Sequence, residues 1–185
     1  MVETWELCRK LANPERRGLL RRVCEACDGL NVGIAVDSSD GLKQAATSQY
    51  LAQLWRLGLI RRMRSGRFVN YTVDAENAPV TIRKIAVAIE ERFCSERESD
   101  SRDERFCAIL AVMGNAMRAK LVRLIYENGP VVKDYLCDKT GLGVKALLRH
   151  LKPAVDIGLV QSADGESFRL CLPEDPISRL IIENN

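Results

Sequence analysis

The chain has 185 residues, of which 46% are hydrophobic and 29% charged, and its formal net charge at pH 7 is +3. This length and apolar content can bury two small cores. The sequence holds no run of about 18 apolar residues, so no membrane span and no membrane partner are expected. Its polar, acidic start is unlike a signal peptide, and an odd number of cysteines, seven, is unlike a disulfide framework. A cytoplasmic location is therefore expected.

The charge is unevenly distributed along the chain. Residues 1–73 carry 12 Lys and Arg against 7 Asp and Glu, whereas residues 74–104 carry 5 against 9. Residues 105–185 are nearly balanced, with 11 against 9. An anionic partner is therefore expected to bind the first part of the chain.

The N-terminal part of the chain predicts several short helices. Residues 3–12 have amphipathic helical spacing. Asn13 is a favourable N-cap with Pro14 at the first helical position, so a second helix should begin there and end near Gly29. A short extended piece and a short helix are expected over residues 30–41.

A longer helix and a hairpin follow. Helical spacing predicts a helix over residues 43–57 that stops at Gly58, because glycine suits the left-handed position after a helix. Two β-favouring runs, residues 59–64 and 67–73, flank a turn that contains Gly66 and predict a β-hairpin.

A helix and a polar segment separate this region from the rest of the chain. Residues 80–93 return to helical spacing, with Ile82, Ile85 and Ile89 on one face. Residues 95–104 hold no apolar side chain and are interpreted as a linker.

The remaining residues repeat the same order of elements. Residues 50–60 recur as residues 150–160, with matching leucines and with Gly158 in the place of Gly58. The internal repeat indicates one supersecondary unit used twice. In the second copy, helices are predicted over residues 106–113, 117–127, 133–139 and 144–157, a hairpin over 159–163 and 167–172, and a C-terminal helix at Ile177, Leu180 and Ile181.

Three separated segments of the first repeat resemble the winged helix-turn-helix repressors of the ArsR type. Residues 11–16 match the opening pattern of that family, and residues 48–60 match the pattern around its recognition helix, with Tyr50 in place of the usual His. Residues 64–71 match its wing. The resemblance implies a winged-helix fold, DNA binding, and two-fold dimers formed through the first and last helices.

Duplex DNA suits the residue types of the fourth helix and the wing. A helix fits the major groove, where Gln can bind adenine and where Thr, Ser and Lys can reach bases or phosphates. A cationic hairpin can lie on phosphates or in the adjacent minor groove. The candidate DNA-binding residues are Lys43, Gln44, Thr47, Ser48, Gln49, Tyr50, Arg61, Arg62, Arg64 and Arg67. The alternative is that the arginines form only a solvated strand face.

The second repeat keeps the predicted order of elements, but its wing and its recognition-type helix differ from those of the first repeat. Its wing carries two acids where the first has arginines, and Pro153 removes a hydrogen bond from its recognition-type helix. Lys145, Arg149, His150 and Lys152 still offer positive charge there. Contact with the DNA backbone and a role in packing or pairing both remain open for this copy.

Neither a metal site nor a catalytic site is expected. Cys24 and Cys27 have thiolate spacing but lie on an apolar helix stripe, where cysteine behaves as a small hydrophobe. The third helix, near residues 34–37, lacks the cysteine pair that the ArsR resemblance would imply, and Cys137 has no neighbour of its kind. With one histidine and no phosphate-binding loop, the chain predicts no enzyme and no cofactor.

These patterns predict a mainly α protein with small β-hairpin wings, an α+β chain of tandem winged helix-turn-helix domains. Residues 1–78 form the expected DNA-reading domain, 79–104 the connector helix and acidic linker, and 105–185 the degenerate copy. The expected function is a DNA-binding transcriptional regulator, as a homodimer or an intrachain pseudo-dimer on double-stranded DNA. The alternative is a tandem winged-helix docking or scaffold module of a chromosome- or polymerase-associated complex.

Overall fold

A computed structural model of the chain describes residues 3–26, 29–37, 43–73, 78–95, 100–162 and 164–184. In the first half, the elements are α1 (Thr4–Leu11), α2 (Pro14–Glu25), β1 (Leu30–Asn31), α3 (Val32–Asp37), α4 (Gln44–Arg56), β2 (Arg61–Ser65), β3 (Phe68–Thr72) and α5 (Val80–Ser95). In the second half, they are α6 (Asp100–Met113), α7 (Ala116–Asn128), β4 (Val131–Val132), α8 (Lys133–Thr140), α9 (Val144–Asp156), β5 (Val160–Gln161), β6 (Ser167–Leu170) and α10 (Pro176–Glu183).

The elements build two small antiparallel sheets with the same strand order. In the first sheet, β3 lies between β1 and β2, and in the second sheet β6 lies between β4 and β5. Helices dominate the rest of the described chain, so the prediction of a mainly α protein with small hairpins is confirmed. None of the described helices combines the length and apolarity that crossing a bilayer requires.

The chain divides into two compact units. The first unit spans residues 13–97, and the second combines residues 3–12 with residues 98–185. The core of the first unit includes Leu19, Leu20, Val23, Leu51, Leu54, Tyr71, Ile82 and Ile85, and that of the second includes Leu121, Val122, Ile125, Leu147, Leu151, Phe168 and Ile181.

The placement of α1 corrects the expected domain boundary. Residues 1–78 were expected to fold together, but α1 packs on α6 and α7 of the second unit. Thr4 Oγ1 donates to the carbonyl of Asn184 at 2.7 Å, and Leu7 is fully buried. A Cβ at Gly114 would lie 2.8 Å from Cα of Arg9, so α1 approaches the end of α6 at backbone distance. Amphipathic spacing cannot show which core a helix joins.

A second correction concerns the polar segment at residues 95–104. It was interpreted as a linker, yet α6 begins at Asp100, six residues before the predicted helix start at residue 106. The apolar part of α6 is anchored because Phe106 and Leu110 are buried. Acidic residues are favourable in the first turns of a helix, so this anchored helix extends into the charged segment.

The N-cap predicted at Asn13 is present, and Asn115 caps the matching helix of the second repeat. Asn13 Oδ1 accepts a hydrogen bond from the backbone N–H of Arg16 at 2.8 Å, and Asn115 Oδ1 accepts from the N–H of Arg118 at 3.1 Å. Each asparagine therefore caps the second helix of its repeat.

The repeated glycine ends α4 and α9 in the same way. Gly58 has φ +77° and Gly158 has φ +70°, which lies in the left-handed region. The next residue closes the turn in each case: Leu59 N–H donates to the carbonyl of Leu54 at 3.2 Å, and Leu159 N–H donates to that of Ala154 at 2.9 Å. This pattern is the Schellman motif, and it orients the chain into each hairpin.

Candidate nucleic-acid interface

Helix α4 has one face in the core of the first unit and one face in solvent. It packs against α2 and α3, and its buried face carries Leu51 and Leu54. Gln44, Ser48 and Gln49 are exposed on the other side. The structure therefore brings three of the predicted polar residues together on one accessible surface.

The N-terminal end of α4 has the electrostatics of an anion-binding end. Lys43 is its N-cap residue, and the first turn holds no acidic side chain. No Asp or Glu occurs in residues 43–73. The first backbone N–H groups of a helix carry partial positive charge, so they add to the charge of Lys43.

Thr47 does not belong to this exposed surface, which corrects its place among the predicted DNA-binding residues. Its side chain is fully buried, and Oγ1 donates to the carbonyl of Lys43 at 3.3 Å. Thr47, Leu51 and Leu54 are spaced so that they share one helix face. A residue held in this row cannot reach a base edge.

Tyr50 is placed by contacts to α2. Its hydroxyl donates to Glu15 Oε2 at 2.8 Å, and the guanidinium of Arg16 lies 4.9 Å from the centre of its ring. The hydrogen bond to Glu15 raises the pKa of Tyr50, while burial lowers the pKa of Arg16. Tyr50 therefore joins the fourth helix to the first turn of α2.

Glu15 and Arg16 are functional candidates that sequence reasoning missed. They follow Pro14 directly in the first turn of α2, and Arg16 is buried. A buried arginine beside a tyrosine is a signal that appears only when two helices are placed together. These residues hold the orientation of α4 and do not lie among its exposed polar side chains.

The first hairpin, formed by β2 and β3, presents the predicted arginines to solvent. Every residue of β2 is exposed. Arg62 pairs with Tyr71 and Arg64 pairs with Val69, so these two arginines point to one side of the sheet. Arg61 points to the other side.

The turn of this hairpin holds the remaining predicted arginine. Gly66 has φ +58°, and Arg67 follows it. The guanidinium of Arg67 lies 5.0 Å from the centre of the Phe68 ring, and Phe68 is 52% exposed. The stacked pair keeps the positive charge of Arg67 at the tip of the hairpin.

In the second hairpin, formed by β5 and β6, the two acidic residues of the turn make local contacts. Asp164 Oδ1 accepts from the backbone N–H groups of Glu166 and Ser167, each at 2.9 Å. The hydrogen bond from the backbone N–H of Ser167, followed by that from Glu166, lowers the pKa of Asp164 because both stabilise its carboxylate form. Glu166 forms an ion pair of 2.6 Å with Lys133. No arginine tip like that of the first hairpin exists in the described part of this turn.

Helix α9 of the second unit continues through Pro153 to Asp156. The proline removes one backbone donor, and the hydrogen bonds on either side maintain the helix. Lys145 and Arg149 are exposed and His150 is half-buried. The cationic residues predicted for the second repeat therefore lie on a continuous helix.

The cysteines show no metal geometry among the residues that the structure describes. Cys8 is fully buried, and burial raises the pKa of its thiol to about 12. Cys24 is half-buried, and Cys27 lies outside the described residues. Within the described ranges, no group of three His, Cys, Asp or Glu side chains could hold a metal ion.

Comparison of the chain with protein-family models, with curated proteins and with solved structures gave no match in any of the three.

Proposed function

We propose that the chain is a DNA-binding transcriptional regulator built from tandem winged-helix domains. The observation that carries this proposal is the exposed surface of the first unit. It presents the polar side chains of Gln44, Ser48 and Gln49, an arginine-rich hairpin follows α4 in the chain, and residues 43–73 contain no acidic side chain. In this proposal α4 enters the major groove, and the first hairpin lies on the backbone or in the minor groove.

The topology supports the winged-helix part of the proposal. Each unit has a helix, a short strand, two further helices and a hairpin. The short strand pairs with the last strand of the hairpin in its own unit, β1 with β3 and β4 with β6. In each unit, the third helix of the set has an exposed face, and the hairpin follows this helix in the chain. The two exposed elements are those that a winged helix uses on DNA.

The chemistry divides between the two elements. The amides of Gln44 and Gln49 can pair with adenine in the major groove, whereas the guanidinium groups of the hairpin neutralise phosphates. Neutralising about five phosphates would give a slope of about −4 to −5 in a plot of log affinity against log salt. Strong salt dependence and sequence preference therefore come from different residues.

The experiment uses the intact chain, because α1 packs in the second unit and a cut after the first repeat would remove its neighbours. Duplexes selected from a random library are titrated against salt by fluorescence anisotropy. A preferred sequence with a steep negative salt slope supports the proposal. Equal, weak binding to all duplexes, or none at low salt, would remove it and favour the docking-module alternative.

A homodimer through α5 is the partner arrangement that the surface favours. Val80 and Val87 are 64% and 46% exposed and lie seven residues apart on one helix face. Lys84 lies about one turn before Val87 and Glu91 one turn after it. An antiparallel pair centred on Val87 would therefore bring opposite charges together. An intrachain pseudo-dimer formed by the two repeats is the competing arrangement.

A cytoplasmic location is part of this proposal, because a regulator of this kind acts where DNA is accessible. It needs no cofactor and no catalytic residue, since binding alone performs the function.

A further inference from the structure

Helix α9 of the second unit exposes a row of apolar side chains. Val144 and Leu148 are each 42% exposed, and Val155 is 38% exposed. Their spacings of four and seven residues place them on one side of the helix. The neighbouring row, which includes Leu147 and Leu151, is buried in the core. Each residue of the exposed row therefore leaves more than a third of its surface in solvent, beside the row that faces the core.

The matching helix of the first unit carries polar side chains at two of the three positions of this row. With Gly58 aligned to Gly158, Gln44 and Ser48 occupy the positions of Val144 and Leu148. The fold accepts polar side chains at both positions, and both are exposed in α4. The fold therefore does not require apolar residues at Val144 and Leu148, whereas the position of Val155 carries the exposed Trp55 in α4.

A row of basic side chains runs beside the apolar row. Lys145, Arg149 and Lys152 are exposed on the same side of α9. Asp156 is the one acid in the helix, and it forms an ion pair of 3.1 Å with Lys152. The surface thus combines exposed apolar area with net positive charge.

We propose that this surface of α9, formed by Val144, Leu148 and Val155 and the flanking Lys145 and Arg149, binds an acidic amphipathic helix of a partner protein. From Val144 to Val155 the apolar row extends about 16 Å along the helix axis, which is the length of about three turns of a partner helix. Apolar side chains of the partner cover the row, and its Glu or Asp residues face the basic row. This site is independent of DNA binding by the first unit.

Duplex DNA fits this surface less well than an acidic helix does. Base edges in the major groove offer donors and acceptors, and only the thymine methyl group accepts an apolar contact. In the second hairpin, Glu166 is an exposed carboxylate that is paired with Lys133. The hairpin beside α9 therefore lacks the positive tip that would hold a phosphate backbone.

The test uses the intact chain and a synthetic probe. The probe is a fluorescein-labelled peptide of about 18 residues, composed of Glu, Ala and Leu, with Leu at i, i+4, i+7 and i+11. A peptide of the same composition with dispersed leucines is the control. Anisotropy titrations compare the wild-type chain with Val144→Gln/Leu148→Ser, which installs the residues that α4 carries at the same positions.

We expect the patterned peptide to bind the wild-type chain at least about 10-fold more tightly than the dispersed one. Val144→Gln/Leu148→Ser should remove that difference, while Lys145→Ala/Arg149→Ala should weaken binding and reduce its salt dependence. Gln44→Ala/Ser48→Ala in α4 is the matched control and should leave peptide binding unchanged. Circular dichroism checks folding, and Val155→Gln replaces the double variant if that variant unfolds.

Equal binding of both peptides, no binding, or unchanged affinity of the apolar variants would overturn the proposal. A random duplex that displaces the peptide from wild type and binds the apolar variant more weakly would assign the surface to nucleic acid and overturn it as well. If the chain bound the patterned peptide but no duplex DNA, the proposed regulatory function would be wrong and the proposed peptide site on α9 would stand.

Discussion

The hydroxyl of Tyr50 donates a 2.8 Å hydrogen bond to Glu15, which joins α4 to the first turn of α2. The ring of the same tyrosine covers the guanidinium of Arg16. The orientation of α4, and with it that of Gln44 and Gln49, therefore depends on contacts made by neither glutamine. Tyr50 acts as a positioning residue in the proposed function.

Replacing Tyr50 tests this role through the pH dependence of stability. The bond to Glu15 raises the pKa of Tyr50 above its ordinary value of 10.0, so folding favours the neutral phenol. The contribution is complete below pH 10 and is lost as the pH rises through the folded pKa. Wild type should therefore be more stable than Tyr50→Phe at pH 7, and the difference should shrink above pH 10. Urea unfolding at both pH values measures it, and a difference that grows with pH would contradict the assignment.

Burial of Thr47 predicts that it does not contribute to sequence reading. Thr47→Val removes the bond from Oγ1 to the Lys43 carbonyl and keeps the shape, so the free energy of unfolding should change by about 1 kcal/mol or less. DNA affinity and sequence preference should both stay the same. Gln44→Ala/Gln49→Ala, in contrast, should reduce the preference between duplexes more than total affinity. If Thr47→Val alone changed the preferred sequence in a duplex selection, Thr47 would have to reach the DNA.

The hairpin arginines predict a sequence-independent loss of DNA affinity. Arg64→Ala/Arg67→Ala should weaken binding to all duplexes about 10-fold or more, and reduce the magnitude of the salt slope by about 2. Lys120→Ala/Arg123→Ala, which removes two exposed cations from α7 of the second unit, is the charge-matched control. A similar loss in both variants would show that net charge, and not the hairpin, holds the DNA.

The two glycines that end α4 and α9 predict unequal effects of the same substitution. Both have positive φ, so Gly58→Ala and Gly158→Ala each should destabilise the protein by about 1 kcal/mol. At Gly58 a new Cβ would also lie 3.1 Å from Cβ of Ala78, whereas at Gly158 it would meet open space. Gly58→Ala should therefore have the larger effect in thermal unfolding. Equal shifts would mean that the segment at Ala78 yields without strain.

The exposed face of α5 predicts that a substitution on it changes the oligomeric state of the protein. If α5 pairs with a second copy, Val87→Glu should convert a dimer to a monomer in sedimentation equilibrium, because it places like charges beside Glu91 at the centre of the pair. Val132→Glu, which introduces the same charge at an exposed valine outside α5, serves as the control. A wild-type chain that sediments as a monomer would favour the intrachain arrangement of the two repeats.

Short-range signals predicted most of the helices and both hairpins. Asn13 and Asn115 cap their helices, and Gly58 and Gly158 end theirs, because these effects depend on residues within one or two turns. The exposure of the arginines in the first hairpin is predictable from their charge, although every residue of β2 is exposed and its burial does not alternate. Residue type could not decide between burial and DNA contact for Thr47, since a hydroxyl can satisfy itself on its own helix.

The sequence alone determined the internal repeat, the local element types and the concentration of positive charge in the first repeat, because each follows from neighbouring residues or from composition. Tertiary structure decided that α1 packs with residues 98–185, that Thr47 is buried and that Tyr50 contacts Glu15. It also decided that Val144 and Leu148 face solvent. These facts depend on which surfaces meet across long stretches of chain, and hydrophobic attraction is non-directional, so spacing along the chain does not specify the partner.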